Sequence, residues 1–277
     1  MNTQYLQLTD GTLAYDDSGT AGPLVMMVPS LGDVRQEYRF VAPKLAAAGY
    51  RVVTLDMRGQ GESSANWPDY SLASIGRDML ALIEHLNAGP AVLVTTSYSA
   101  SAAVWLAAEQ PDAVRALVLI GAFVRNVEAS LAVKLGVKLI TNGPWKVWAW
   151  DMFYKSLYPS QTPPDFAAYR QQLKTNLAQP GRYGALKGMI EASREDSEQR
   201  LGRVQAPTLV MMGSKDPDFP SPQAEADFIA KATGGRVVLV DGAGHYPHAE
   251  MPAITLPILT NFLQEVAQPH GAQTRLN

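Results

Sequence analysis

The chain has 277 residues, 47% of them hydrophobic, and a formal net charge of -3 from 23 Lys and Arg against 26 Asp and Glu. This composition is typical of a soluble globular protein, and the scattered charges do not favour nucleic acid or an anionic membrane as a partner. The absence of cysteine excludes disulfides, thiolate catalysis and cysteine-based metal sites.

The N-terminus has neither a positively charged start nor an apolar stretch typical of a signal peptide. No later apolar run reaches the length that a membrane span needs. We therefore expect a cytoplasmic protein that has no membrane partner. The sequence leaves the monomeric and the homodimeric state both open.

Short apolar runs rich in β-branched residues alternate along the chain with longer segments of helical pattern. This alternation predicts a mostly parallel sheet covered by helices, opened by an antiparallel hairpin around Asp10 and Gly11. The predicted strands are residues 5–8, 12–16, 24–28, 51–56, 91–96, 116–120, 208–212 and 237–241. The predicted helices are residues 38–48, 72–86, 98–109, 222–232 and 253–266.

The alternation stops between residues 124 and 201, where the pattern is helical and is broken by Asn-Gly-Pro and Thr-Pro-Pro. This predicts a helical cap, 124–201, inserted into a sheet domain formed by residues 1–123 and 202–277. Most aromatic side chains of the cap are expected to pack it onto the sheet domain, and one or two to line an apolar substrate pocket. The pocket candidates are Ser30, Trp145, Trp148, Phe153, Tyr154 and Tyr246.

Ser97 follows the pattern of a buried strand and precedes a helix whose first turns hold mostly small residues. A sharp turn from strand to helix presents a serine hydroxyl to a general base and to backbone N–H groups. The usual pattern is G-x-S-x-G, and here Thr95 and Ser99 stand in place of the two glycines. Ser99 is a rival nucleophile, but Ser97 is preferred because it directly follows the strand.

Two later strands each run into a turn with a titratable residue, Asp216 in one and His245, after a glycine-rich stretch, in the other. Because the carboxyl ends of parallel strands gather at one edge of a sheet, Ser97, Asp216 and His245 are expected to meet there. Asp218 is the rival acid. With the four histidines dispersed and no cysteine, no metal and no organic cofactor are expected.

The sequence resembles the cap-bearing α/β-hydrolase superfamily, in its serine hydrolase and esterase branch. The resemblance rests on the order Ser, Asp, His and on residues 56–63, which are similar to the family's D-x-R-G-x-G-x-S loop. It implies an α/β-hydrolase fold: a mostly parallel eight-stranded sheet flanked by helices, with an inserted cap. It also implies an oxyanion hole from the backbone N–H groups of Leu31 and Tyr98, although Pro29 and Ser30 replace the family's usual His-Gly.

The function implied is that of a carboxylesterase-like serine hydrolase, which cleaves a small, largely apolar ester or lactone through an acyl-enzyme. The same triad would also serve carbon-carbon bond hydrolysis, acyl transfer or perhydrolysis. Residues 97–100 and 244–248 are similar to the bacterial regulator and plant hormone-receptor branch of the superfamily. A ligand sensor with slow or no turnover is therefore a further hypothesis.

Overall fold

The computed structural model describes residues 2–126 and 142–267. Eight strands form one sheet in this part of the chain: β1 (Asn2–Gln7), β2 (Thr12–Asp17), β3 (Leu24–Val28), β4 (Arg51–Leu55), β5 (Ala91–Thr96), β6 (Val114–Ile120), β7 (Thr208–Gly213) and β8 (Arg236–Val240). Their order across the sheet is β1-β2-β4-β3-β5-β6-β7-β8. The pairs β1 with β2 and β2 with β4 are antiparallel, and all the other pairs are parallel.

Helices follow most of the strands. They are α1 (Ala42–Ala47), α2 (Leu72–Leu86), α3 (Tyr98–Glu109), α4 (Lys146–Ser156), α5 (Phe166–Leu177), α6 (Arg182–Glu191), α7 (Glu195–Glu198), α8 (Pro222–Thr233), α9 (Pro247–Glu250) and α10 (Pro252–Ala267). None of them combines the length and the apolar character that crossing a bilayer requires.

The central strands are buried on both faces, which explains why their sequences read as continuous apolar runs. In β5, Leu93 packs in the hydrophobic cluster on one side of the sheet with α2 and α3. Its neighbours Val92 and Val94 pack in the cluster on the other side, with α1 and α10. The two clusters cover the central strands on both faces and leave the strand ends as the place for polar side chains.

The helix predicted over residues 38–48 is shorter in the structure. A separate 3-10 turn, Arg35–Tyr38, comes first, and α1 then begins at Ala42. Pro43 stands in the first turn of α1, where its missing N–H leaves no hydrogen bond unmade. The segment before α1 follows a tighter path and contacts the central strands β3 and β4.

Between β6 and β7, the described residues from 142 onwards form helices α4 to α7 and no strand. Their contacts with the sheet domain are polar as well as apolar. Asp165 accepts two hydrogen bonds from the Arg39 guanidinium, at 2.6 and 2.7 Å. The Asn176 side chain donates to the Gly61 carbonyl at 2.8 Å and accepts from the Gly61 N–H at 3.2 Å.

Candidate active site

Ser97 occupies the turn between β5 and α3 in a strained backbone conformation, with φ 59° and ψ -116°. Its N–H donates to the Ile120 carbonyl at 2.8 Å, which fixes the turn against the end of β6. A non-glycine residue in such a sparsely populated region costs about 1–3 kcal/mol and is typical of functional sites. Among the described residues, only Asn87 shares a positive φ with Ser97 outside glycine, and this strain supports Ser97 as the candidate nucleophile.

The rival Ser99 is held differently. Its side chain has no solvent exposure, compared with 6% for Ser97, and its hydroxyl hydrogen-bonds the backbone of Val28 and Thr96 at 2.9 Å each. Thr95 is buried, and its hydroxyl lies 3.5 Å from the Val118 carbonyl. The Ser99 hydroxyl therefore fastens α3 to the ends of β3 and β5, whereas the Thr95 hydroxyl reaches from β5 to the neighbouring strand β6.

Asp216 and His245 form a buried pair at the ends of β7 and β8. The distance from His245 Nδ1 to Asp216 Oδ2 is 2.7 Å, against 3.7 Å to Asp218 Oδ2. Burial by itself would lower the pKa of His245, but the charge and hydrogen bond of Asp216, with smaller contributions from Asp218 and Glu37, raise it to about 9. Of the two candidate acids, Asp216 is the one in hydrogen-bond contact.

Ser97 and His245 lie against the same short segment after β6. A Cβ atom on Gly121 would lie 3.0 Å from the His245 imidazole, and the Phe123 N–H donates to the Ser97 carbonyl at 3.2 Å. Among the described residues, no hydrogen bond joins the Ser97 hydroxyl directly to the imidazole. Catalytic hydrogen bonds often tighten only when substrate is bound, so the arrangement is compatible with proton transfer between these two groups.

The loop that carries His245 is in direct contact with the helical segment. The His245 N–H donates to the Leu157 carbonyl at 3.0 Å. A Cβ atom on Gly244 would lie 2.3 Å from that carbonyl oxygen and 2.3 Å from Pro159. Only glycine allows this close approach, and the Glu250 carboxyl accepts the Gly244 N–H at 2.7 Å.

The predicted oxyanion loop forms a tight turn at the end of β3. The Asp33 N–H donates to the Ser30 carbonyl at 3.2 Å, and Gly32 has the positive φ of 74° that glycine tolerates at the third position of a turn. Since the Ser30 carbonyl and the Leu31 N–H belong to one peptide unit, the Leu31 N–H faces away from the turn. It makes no hydrogen bond within the described ranges, and the Tyr98 N–H, at the first position of α3, has no partner inside that helix.

Asp33, which the sequence analysis did not select, joins this loop to two helices of the predicted cap. Its buried carboxyl accepts a hydrogen bond from the Tyr154 hydroxyl at 2.9 Å and another from the Tyr169 hydroxyl. Burial and the nearby Glu37 raise the pKa of Asp33 to about 7, although both tyrosine hydrogen bonds lower it. An acid directly after the turn was the only signal in the sequence.

The aromatic pocket candidates have different surroundings. The Tyr246 ring lies edge-on to the His245 ring, with centroids 5.0 Å apart, and Ser30 is buried in the oxyanion loop. Tyr154 is committed to Asp33, as described above. Phe153 is partly buried, 5.3 Å from the ring of Trp150.

The two remaining candidates are exposed to solvent, Trp148 within α4 and Trp145 directly before it. Trp148 is 64% and Trp145 50% exposed, whereas Trp150 is only 7% exposed. Trp150 packs against Leu31 and against Gly32, whose Cβ would clash with the indole ring. Trp150 and Tyr154, four residues apart, share the inner face of α4. The sequence analysis missed Trp150, although this spacing from Tyr154 could have indicated it.

One group within the described ranges has the donor atoms for a metal ion. The ligand atoms of Asp216, Asp218 and His245 all lie within 4.8 Å of one another. The Nδ1 atom of His245 already bonds Asp216 at 2.7 Å, so a cation between them would have to break that hydrogen bond. The group fits an acid-base pair better than a metal site.

Residues 23–252 match the family model described as alpha/beta hydrolase fold. The chain belongs to this family. The strand order and the helices on both faces of the sheet are those of an α/β hydrolase. The predicted fold and superfamily are thereby confirmed.

Similar α/β hydrolases carry several activities in their names. BpoC of Mycobacterium tuberculosis, a candidate non-heme bromoperoxidase, is 37% identical over 107 residues, which are 39% of this chain and only 40% of that protein. The sn-1-specific diacylglycerol lipase ABHD11 of Mus musculus is 24% identical over 267 residues, covering 89% of this chain and 83% of the lipase. The general prediction of an α/β-hydrolase-fold enzyme is confirmed by this family.

Among solved structures, the bromoperoxidase from Bacillus anthracis superposes with a TM-score of 0.83 at 22% sequence identity. The match covers 95% of this chain and 100% of the bromoperoxidase chain. At this level of identity the likeness shows the fold alone.

Proposed function

We propose that the chain is a serine hydrolase that cleaves a small, largely apolar carboxylic ester or lactone through an acyl-enzyme. The observation that carries the proposal is the pair His245 and Asp216, 2.7 Å apart, at the same sheet edge as a strained serine with φ 59°. A general base that is oriented by a buried carboxylate, at the same end of the sheet as a serine in a sharp strand-to-helix turn, is the arrangement of acyl-transfer catalysis.

In the mechanism, the imidazole of His245 removes the proton from the Ser97 hydroxyl as its oxygen attacks the carbonyl carbon. The Leu31 and Tyr98 N–H groups stabilise the oxyanion. Collapse of the tetrahedral intermediate expels the alcohol, which takes the proton from the imidazolium. Water then attacks the acyl-enzyme with the same base, releasing the carboxylic acid and restoring Ser97. Asp216 holds the imidazole in one tautomer and stabilises its cation.

The surroundings of the imidazole favour an apolar substrate. The rings of Phe123 and Phe219 are stacked, with centroids 4.4 Å apart, and lie 6.1 and 6.4 Å from the His245 ring. The Tyr246 ring lies edge-on to the same imidazole, with centroids 5.0 Å apart. Apolar walls with a few convergent polar groups are typical of small-molecule sites, and the lipase among the relatives supports an ester as the electrophile.

Hydrolysis of p-nitrophenyl esters of short and medium acyl chains tests the proposal. Ser97→Ala should abolish turnover and labelling by a fluorophosphonate, and peptide mapping of the wild type should place the label on Ser97. Ser99→Ala is the matched control, because it removes a hydroxyl two residues away that bonds only backbone groups. Loss of activity in the Ser99 variant alone would contradict the choice of nucleophile.

Perhydrolysis is a second candidate, favoured by the bromoperoxidase name of BpoC. The same acyl-enzyme would be formed from a carboxylic acid with loss of water, and hydrogen peroxide would then release a peracid. Peracid formed from acetate and hydrogen peroxide is detected by the oxidation of bromide. Turnover in this assay that exceeds ester hydrolysis would make perhydrolysis the principal activity, whereas stoichiometric labelling without turnover would indicate a ligand sensor.

A further inference from the structure

Glu37 is a buried carboxyl group that the mechanism above does not use. It lies in the 3-10 turn Arg35–Tyr38, is 1% exposed, and accepts the Ser30 N–H at 2.6 Å. Burial raises its pKa to about 7. A buried carboxyl that is not neutralised by an ion pair is costly, so its position needs a specific explanation.

On its other side, Glu37 lies next to His248, which is uncharged. His248 Nε2 lies 3.0 Å from Glu37 Oε1, and the His248 ring stacks on Tyr38 with centroids 4.9 Å apart. Burial lowers the pKa of His248 to about 3, which keeps the imidazole uncharged. The Glu37 Oε1 atom has no hydrogen-bond partner among the described residues, so the carboxyl is held by the Ser30 N–H through its other oxygen.

The turn that holds Glu37 is anchored at both strands that form the site. The Tyr38 hydroxyl donates to the Val28 carbonyl at 2.8 Å and lies 2.8 Å from the Thr96 hydroxyl. Thr96 is the residue directly before Ser97. The 3-10 turn thus connects the predicted oxyanion loop, through Glu37 and the Ser30 N–H, to the strand that carries the nucleophile, through the Tyr38 hydroxyl.

Two hydrogen bonds determine the direction of the Leu31 N–H. Glu37 fixes the peptide unit between Pro29 and Ser30 through the Ser30 N–H. The Asp33 N–H fixes the next unit through the Ser30 carbonyl, which is also the unit of the Leu31 N–H. Without Glu37, the first of these peptide units would have no partner for its N–H and would be free to rotate, and the second would follow it.

We propose that Glu37 is a positioning residue of the oxyanion hole, which holds the Pro29–Gly32 loop so that the Leu31 N–H faces the reacting carbonyl oxygen. The inference rests on the proposed function, since it needs an oxyanion at Ser97. It explains how the loop keeps a donor in place although Pro29 and Ser30 stand where the family has His-Gly.

Three substitutions of Glu37 separate positioning from packing. Glu37→Met keeps the length of the side chain and removes the acceptor; Glu37→Gln keeps an acceptor oxygen at the same distance; Glu37→Asp keeps the charge and withdraws it by one methylene. The matched control is Asp78→Asn, a buried acid paired with Arg58 at 2.7 Å that makes no hydrogen bond to the loop. Each variant is assayed for kcat and KM on a p-nitrophenyl ester and for inhibition by a trifluoromethyl ketone.

The trifluoromethyl ketone reports on the oxyanion directly, because it is bound as the tetrahedral adduct of Ser97. Glu37→Met should lower kcat about 10- to 100-fold and weaken the ketone by the same factor, with KM changed less than about 2-fold. Glu37→Gln should restore both to within about 5-fold of the wild type. Asp78→Asn should lose stability in thermal melts but keep kcat and ketone affinity.

Unchanged kcat and ketone affinity in Glu37→Met would overturn the inference. If Glu37→Met does not fold, Glu37→Asp and Glu37→Gln decide: an impaired Asp variant beside an active Gln variant supports positioning, and the reverse order refutes it. A wild-type protein that neither turns over esters nor labels at Ser97 would instead refute the proposed function. The failure of one is thus distinguishable from the failure of the other.

Discussion

The backbone of Ser97 is strained at the turn that carries its hydroxyl. The Ser97→Gly variant should therefore be more stable than the Ser97→Ala variant. Both variants lack the hydroxyl and should be inactive, and they differ only in how well they tolerate the backbone angles of residue 97, φ 59° and ψ -116°. Alanine keeps the steric conflict of its Cβ atom, whereas glycine adopts this conformation freely.

The size of the difference follows from two opposing terms. Relief of the strained conformation contributes about 1–3 kcal/mol, and the greater flexibility of glycine in the unfolded chain costs about 0.5–1 kcal/mol. The central values of these two ranges make the Gly variant more stable than the Ala variant by about 1 kcal/mol, which corresponds to a rise in melting temperature of about 2 °C for a domain of this size.

Differential scanning calorimetry of Ser97→Gly and Ser97→Ala measures the difference. The matched pair is Ser101→Gly and Ser101→Ala, four residues further into α3, where the backbone is helical. There the order should reverse, because glycine in a helix interior is about 1 kcal/mol less favourable than alanine. A Ser97→Gly protein that melts at or below the temperature of Ser97→Ala would refute the strain argument.

Asp216→Asn should lower kcat by about 10³- to 10⁴-fold. Asp218→Asn, which changes an acid 3.7 Å from the imidazole, should lower kcat by less than about 10-fold. Steady-state kinetics on one ester compares the two variants, and equal losses of kcat would contradict the choice of Asp216. His245 must be neutral to accept a proton, and its pKa is raised to about 9. The value of kcat/KM should therefore increase with pH up to about 9. A pH profile with its midpoint at or below the ordinary histidine pKa of about 6.5 would be inconsistent with the buried pair of His245 and Asp216. The pKa of Asp33 is about 7 in the folded protein, against an ordinary value of 3.8. The folded protein therefore holds this proton more tightly than the unfolded chain does. The free energy of unfolding should fall as the pH rises from about 3.8 to about 7. Urea denaturation between pH 4 and 8 should show a smaller fall in Asp33→Asn, with a remainder from Glu37, whose pKa is also raised to about 7; identical pH dependence in both proteins would argue against the role of Asp33.

Much of the sheet domain was predictable because its elements carry strong local signals. The structure places β3, β5, α2 and α3 at the bounds that the sequence indicates. The Ser71 hydroxyl caps the start of α2 by accepting the Ser74 N–H, and Asn87 ends the helix in the left-handed conformation. Buried strands of apolar residues and capped helices are determined by near neighbours, so a single sequence reveals them.

The polar cluster behind the oxyanion loop could not be predicted in this way. Asp33 and Tyr169 are 136 residues apart in the chain, and their contact depends on how two helices dock on the sheet domain. The same docking decides which tryptophan of α4 faces inward: Trp150 is buried and Trp148 is exposed. Composition marks these residues as aromatic, but only the register of the helix against the loop separates them.

The hydrogen bond from the His245 amide to the Leu157 carbonyl, 3.0 Å long, bears on any attempt to change substrate preference by exchanging the helical insertion with that of a relative. A chimera that exchanges only residues before 157 would retain the native backbone that the His245 loop contacts. One that replaces residues 157–159 would also need a main chain leaving room for glycine at 244, where 2.3 Å separates a hypothetical Cβ from its neighbours. An exchange of the helical insertion should therefore disturb the His245 loop least when residues 157–159 of this chain are kept.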